Sequence, residues 1–221
     1  MIAEVAPPPA VTPTDRATTV VIACGAIGPE LATLLTRSGL DQQVSLRCLS
    51  PSLHDTPERI PELVRAEIRA VQADGGTAII GYADCGTGGR LDAVCAEEGV
   101  QRLPGAHCYE LFAGSAAFAQ LHDEDPGTFY LTDFLVRSFD RLVIRGLGLD
   151  RHPQLREVYF GNYRRLVHLA QRDDLDLDRR ARDAAAALGL AHQRVVTGLG
   201  PFGRQLDHVL EPTFERNEVD T

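Results

Sequence analysis

The sequence predicts an α/β fold, a Rossmann-like parallel sheet with helices on both faces and a helical C-terminal half. Short apolar segments alternate with longer segments of helical periodicity, which is typical of βαβ units. Glycine-bearing turns follow several of the apolar segments. Because connections of this length join parallel strands, we expect the first strands to be neighbours in one sheet.

Four segments in the first half have the composition of buried strands: 19–24, 44–49, 77–83 and 100–103. Helices are predicted where apolar residues recur at helical spacing: 29–38, 60–73, a segment ending near 98, and 109–121. In the second half, helices are predicted at 132–144, 155–171 and 177–188, and a last strand at 193–197. The pattern at 127–131 fits either a strand or a loop.

The predicted domain organisation is a single α/β domain over residues 18–221 with a helical insertion around 132–190. Residues 1–17 are rich in proline and lack an apolar core, so we predict a disordered tail there rather than a signal peptide. With no signal peptide expected, the predicted location is the cytoplasm, where cysteines stay reduced. The five cysteines are therefore expected to be core residues, ligands or nucleophiles.

Charge and composition narrow the possible partners. A net charge of −9 argues against nucleic acid or an anionic membrane as the main partner, and no apolar run approaches the ~20 residues of a membrane span. All 22 basic residues are arginine. Mechanisms that need a lysine, such as Schiff-base chemistry and phosphate-loop binding, are therefore excluded.

Four cysteine or histidine residues, both types that bind metals, follow the predicted strands, one after each strand. Cys24 follows the first strand, His54 the second, Cys85 the third and Cys108 the fourth. The carboxyl ends of parallel strands meet at one edge of a sheet, so we expect these side chains to converge there. Three thiolates and one imidazole suit zinc or another divalent transition metal.

The other cysteines and histidines have different contexts. Cys48 and Cys95 lie on apolar faces of a predicted strand and helix, and we expect both in the core. His107 adjoins Cys108, so either residue could point inward. The remaining histidines are expected to be exposed or packing residues: His122, His152, His168, His192 and His208.

Three further residues beside the thiols are candidates for catalysis. Asp84 and Glu110 could each act as a general base, a metal ligand or a partner of a ligand. The alternative is that Asp84 fixes its own turn and that Glu110 favours the start of a helix. Tyr82 is close enough in sequence to donate a hydrogen bond, with packing at the strand end as the alternative.

Two glycine-bearing loops could hold a cofactor. The loop that contains Gly25 and Gly28 resembles a dinucleotide-binding turn between a strand and a helix. Alanine replaces its first glycine, however, and the second strand ends without the acidic residue that binds a ribose. The other loop, with Gly86 and Gly88, could form a backbone nest for an anion or be only a tight turn.

Four short motifs resemble those of an uncharacterised family of unknown function. They are Ala23-Cys24-Gly25, Leu53-His54-Asp55-Thr56-Pro57, Tyr82-Ala83-Asp84-Cys85-Gly86 and His107-Cys108-Tyr109-Glu110-Leu111. The resemblance implies no established activity. It does imply an association with corrinoid-dependent methyltransferases, and so a corrinoid as a candidate cofactor and a methyltransferase as a candidate partner.

We therefore expect a metal-dependent enzyme that acts on a small molecule in methyl-group or corrinoid-linked one-carbon metabolism. Thiolate-bound zinc would activate a thiol acceptor in such chemistry. One alternative is a non-catalytic metal- or cofactor-binding protein that serves a methyltransferase system. A further alternative is a nucleotide-binding Rossmann-like protein. The sequence is also compatible with assembly of the chain into a homo-oligomer.

Overall fold

The computed structural model of the protein describes residues 19–219. It contains two parallel sheets with helices around them, which confirms the predicted α/β class. The tail predicted at residues 1–17 lies outside the described residues. Within the described residues, no helix combines the length and the apolar character needed to cross a membrane.

The first sheet has four strands: β1 (Thr19–Cys24), β2 (Val44–Leu49), β3 (Thr77–Gly81) and β4 (Gln101–Arg102). Their order in the sheet is β2-β1-β3-β4, and every neighbouring pair is parallel. The helices between them are α1 (Gly28–Arg37), α2 (Ile60–Ala73) and α3 (Arg90–Glu98). The prediction that these four segments are parallel neighbours is confirmed.

Burial differs between the central and edge strands of this sheet. Every residue of β1 is buried, as expected for a strand covered on both faces. Strand β2 lies at the edge, where Cys48 is exposed. The prediction that Cys48 belongs to the core is therefore wrong, because an edge strand lacks a neighbour on one side. Cys95 is buried, as predicted.

The second sheet has three strands: β5 (Thr128–Thr132), β6 (Arg165–Ala170) and β7 (Ala191–Val196). They are parallel in the order β5-β6-β7. The helices of this half are α4 (Cys108–Ala113), α5 (Ser115–Glu124), α6 (Asp133–Arg137), α7 (Leu155–Phe160), α8 (Leu175–Leu188) and α9 (Gly200–Val219). A π-helical turn spans Asp140–Arg145.

Three helix predictions change in this half. The helix predicted at 155–171 is wrong over its second part, because α7 ends at Phe160 and residues 165–170 form β6. The helix predicted at 109–121 is interrupted at Gly114, whose φ of 81° is incompatible with an α-helix. The helix predicted at 132–144 is the short α6 followed by the π-helical turn.

Helices α4 and α9 connect the two sheets. Helix α4 packs against α9 and contacts β5 and β6, while α9 also contacts β3. Cys108, the first residue of α4, therefore lies where the two sheets come together. This position links the thiols at the edge of the first sheet to side chains of the second.

Candidate functional site

Three of the predicted ligands leave the first sheet at its carboxyl edge. Cys24 is the last residue of β1, Cys85 lies in the loop after β3, and Cys108 begins α4 after β4. Strand β1 pairs with β3, and Cys85 N donates to Ala106 O in the loop that leads to Cys108, so the three segments meet at this edge. The pKa of Cys108 is raised mainly by burial and further by the neighbouring thiols of Cys85 and Cys24.

The thiols are held in their protonated form. Burial raises the pKa of Cys24 to about 11, against an opposing hydrogen bond from the backbone N–H of Ala26. Burial also raises the pKa of Cys85 to about 12, and the neighbouring Cys24 adds to the shift. Neutral thiols can share a poorly solvated edge, whereas three thiolates there would repel one another.

Cys85 has an unusual backbone conformation. Its φ is 51°, in the left-handed region that side chains other than glycine rarely adopt. Two backbone hydrogen bonds hold this segment to the loop after β4, from Asp84 N to Gly105 O at 3.0 Å and from Cys85 N to Ala106 O at 2.8 Å. Backbone strain of this kind clusters at functional sites.

His54 lies beside Cys24 on the solvent side. Its side chain is exposed, and Nδ1 lies 3.9 Å from the Cys24 sulfur and 3.0 Å from the Pro51 carbonyl oxygen. Because a carbonyl can only accept, Nδ1 donates to Pro51 and Nε2 keeps its lone pair. The role of His54 as a ligand or as a group facing an open position stays a prediction.

The four candidate ligands do not form a closed cage. Within residues 19–219, no three of Cys24, His54, Cys85 and Cys108 have ligand atoms that all lie within 4.8 Å of one another. The thiols are gathered at one edge, and a metal ion would have to draw them together. Their convergence on a metal stays a prediction.

The two candidate carboxylates make local hydrogen bonds. Asp84 accepts from the Thr87 hydroxyl at 2.6 Å and from the backbone N–H groups of Gly88 and Gly89. Glu110 accepts from the backbone N–H of Ala106 at 2.9 Å. Each carboxylate thus fixes the loop that carries a thiol, while its proposed role as a general base stays a prediction.

Tyr82 contributes a buried hydroxyl close to Cys24. The side chain is 1% exposed, and its hydroxyl lies within reach of the Cys24 thiol. Burial raises the pKa of Tyr82, and the Cys24 thiol raises it further. The role of this hydroxyl as a donor to a group bound at the thiols stays a prediction.

The candidate cofactor glycines have packing and turn roles. A Cβ at Gly25 would lie 3.1 Å from Leu49 O, and one at Gly28 would lie 2.9 Å from the Cys48 sulfur. Both glycines thus let the loop after β1 pack closely on β2. Gly86 and Gly88 have φ values of 81° and 63°, which a tight turn after Cys85 requires.

An open cavity of about 410 Å³ lies beside the start of α4. Its lining is mainly aromatic: His107, Tyr109, Phe118, His122, Pro126, Thr128, Phe129, Tyr130 and Tyr163. His107 and Tyr109 flank Cys108 in the chain, while none of the three thiols is among the lining residues. The His107 Nδ1 atom is buried without a hydrogen-bond partner among the described residues.

Sequence patterns did not indicate this cavity. Tyr109 and Phe118 come from α4 and α5 and Tyr130 from β5, with ring centroids 5.0 to 6.5 Å apart. The sequence did contain a signal for the cavity, because aromatic residues form only 6% of the chain and several of those that line the cavity fall close together in the sequence. His122, predicted to be exposed or packing, lines the cavity.

Comparison with known proteins gives one family match. A family model described as "Protein of unknown function (DUF1638)" matches residues 48–206. This range contains His54, Cys85 and Cys108, while Cys24 lies before it. No curated protein and no solved structure matches the chain.

Proposed function

The chain belongs to the family DUF1638, and we propose from the edge of its first sheet that it is a metal-dependent enzyme. Cys24, Cys85 and Cys108 would bind one zinc ion or another divalent transition metal, with His54 as a fourth ligand or beside an open position. One observation carries the proposal. Three thiols lie at the carboxyl edge of one sheet, held there by the pairing of β1 with β3 and by the hydrogen bond from Cys85 N to Ala106 O, with His54 Nδ1 3.9 Å from the Cys24 sulfur.

The raised pKa values fit a site that loads metal by releasing protons. A metal ion competes with the proton for each sulfur, so binding would convert neutral thiols into thiolates and strengthen as pH rises. Tyr82, whose buried hydroxyl lies near Cys24, would hydrogen-bond a thiolate or a ligand on the metal. The Asp84 and Glu110 hydrogen bonds would hold the loops of Cys85 and Cys108 in place.

The aromatic cavity would take the substrate. Its volume is in the range of small-molecule sites, and its rings offer apolar faces with a few polar groups among them. His107 supplies a buried nitrogen without a partner among the described residues, which a polar group of the substrate could satisfy. A small molecule bound there would reach towards Cys108.

Methyl-group transfer is the reaction we favour. A zinc ion held by thiolates can bind the thiol of an acceptor and keep it ionised, which makes the sulfur a better nucleophile. The resemblance to a family associated with corrinoid-dependent methyltransferases supports this choice, with a corrinoid or its carrier protein as the methyl donor. A lysine-based mechanism is impossible for this chain.

A non-catalytic metal carrier for such a system is the second candidate. It is favoured by Asp84 and Glu110, whose carboxylates are engaged in loop hydrogen bonds rather than free to move protons. Nucleotide binding is the weaker alternative, because Gly25 and Gly28 already pack against β2. We expect no saturable binding of NAD(H) or NADP(H) in a fluorescence titration.

Metal analysis of purified variants tests the metal site. Each of the three single replacements, Cys24→Ser, Cys85→Ser and Cys108→Ser, should lower the metal held at this site well below one ion per chain. The exposed Cys48→Ser should leave the metal content unchanged. Equal metal content in all four variants would contradict the proposal. Turnover of a methylated donor and a thiol acceptor would then separate the enzyme from the carrier.

A further inference from the structure

A second cluster of ligand-type side chains lies in the second sheet. His168 lies in β6, His192 in β7 and Asp178 near the start of α8. Each offers one ligand atom, and the three atoms all lie within 4.8 Å of one another. Among residues 19–219, this is the one group of His, Cys, Asp or Glu side chains that meets this distance.

The fold directs all three side chains to the same space. Leu166 pairs with His192 in the parallel ladder, so the two side chains share a face of the sheet. His168 follows Leu166 by two residues in β6 and lies on that face as well. Because Leu166 packs in one cluster with the apolar residues of α8, this face is the one that α8 covers.

Each of the three side chains has an atom that the protein leaves unsatisfied. His168 Nδ1, His192 Nε2 and Asp178 Oδ1 are buried and have no hydrogen-bond partner among the described residues. Buried polar atoms are normally paired, because leaving them without a partner costs free energy. Three such atoms in one cluster fit a bound group that would satisfy them together.

Asp133 fixes the orientation of His168. His168 Nε2 donates to Asp133 Oδ1 at 2.9 Å, and both side chains are 1% exposed or less. Since the carboxylate only accepts, the proton lies on Nε2 and the lone pair on Nδ1. A carboxylate that orients a histidine in this way is a regular feature of metal sites.

Two arginines also reach Asp178. Arg182 forms a salt bridge with Oδ2, and Arg194 Nε lies 3.8 Å from Oδ1 without a hydrogen bond. Their positive charges oppose a cation, so Arg194 would have to move away when one binds. Arg194 also pairs with the exposed Asp173 at 2.8 Å, which gives it an alternative partner.

We propose that His168 Nδ1, His192 Nε2 and Asp178 Oδ1 bind a first-row divalent transition metal ion. Two imidazoles and one carboxylate are a ligand set for zinc or ferrous iron, and three protein ligands leave further coordination positions open. His168 is buried, whereas His192 and Asp178 are half-buried. This site is independent of the thiol site and differs from it in having no sulfur ligand.

Zinc binding to a chain without the three thiols at the edge of the first sheet tests the proposal. In a variant with Cys24, Cys85 and Cys108 replaced by serine, calorimetric titration with Zn²⁺ should give one ion per chain. Adding His192→Gln or Asp178→Asn should weaken this binding by at least about 10-fold. The exposed His152→Gln is the matched control and should change nothing.

Two measurements distinguish a loss of zinc binding from misfolding of the variant. Thermal unfolding without metal shows whether each variant is folded, and Zn²⁺ should raise the Tm of the starting chain but not that of His192→Gln. With all cysteines present, the same histidine and aspartate substitutions should lower the zinc content by one ion per chain. No zinc bound by the serine variant, or equal binding after His192→Gln, would overturn the proposal.

Discussion

The two sheets place their candidate ligands in different ways. In the first sheet, Cys24, Cys85 and Cys108 lie at a strand end, in a loop and at a helix start, and all three pack against the core. In the second, His168 lies inside a strand and is bound to the fully buried Asp133. Removing a neutral thiol leaves no buried charged group without its donor, whereas removing His168 does so at Asp133. Substitution of His168 should therefore cost more stability than substitution of a thiol at the edge of the first sheet.

The largest expected effect is at His168. His168→Ala should lower the free energy of unfolding by about 3 kcal/mol, because it leaves the Asp133 carboxylate buried without this donor. Urea unfolding measures the change, and the exposed His152→Ala should stay within about 0.5 kcal/mol of wild type. A cost at His168 no larger than at His152 would remove the contrast between the two sheets.

The ionisation of Cys24 should make stability depend on pH. Its pKa rises from 9.0 to about 11 on burial, so the folded chain holds this proton more tightly than the unfolded chain. The stabilisation is present in full below pH 9 and is lost as the pH rises through 11. We expect the metal-free chain to lose about 2 kcal/mol from this group by pH 11.

Comparison with Cys24→Ser isolates this contribution. The difference in unfolding free energy between wild type and variant should shrink between about pH 9 and pH 11, because serine does not ionise there. Urea midpoints measured at several pH values give the difference directly. Parallel curves for the two proteins would show that the Cys24 thiol is not held neutral by burial.

The smallest expected effect is a gain at Cys85. Glycine adopts the φ of 51° without strain, so Cys85→Gly should stabilise the metal-free chain by up to about 1 kcal/mol. Cys85→Ala keeps a Cβ and should bring no gain. Both variants should lose the metal at the thiols, which would show that the strained residue is kept for binding. A loss of stability in Cys85→Gly alone would mean that its side chain holds the loop.

The first sheet could be predicted because its sequence signals agree with one another. Strands β1 and β3 are apolar, turn residues follow them, and helices of clear periodicity separate them. Strand β6 could not be predicted in this way. Its residues Leu166, Val167 and Leu169 fit helical spacing as well as a buried strand, and they follow α7 closely. The sheet pairing that decides between the two comes from distant parts of the chain.

The candidate sites also differ in how far local sequence could predict them. Cys24 ends a strand and Cys85 lies in a turn, both of which local sequence reveals, and the structure brings these residues to one edge of the sheet. His168 gave no such signal, because its partner Asp133 is 35 positions away in the chain. The prediction that His168 is exposed or a packing residue missed its buried hydrogen bond. A histidine within an apolar strand segment was the clue available in the sequence.

X-ray absorption at the zinc edge shows directly whether the thiols of the first sheet bind the metal. The chain is loaded with one equivalent of zinc, and the distances from the metal to its ligand atoms are measured. We expect a shell of sulfur atoms at about 2.3 Å from Cys24, Cys85 and Cys108, present also in the His192→Gln variant. A spectrum with only nitrogen and oxygen neighbours at about 2.0–2.2 Å would contradict it and assign the zinc to other residues.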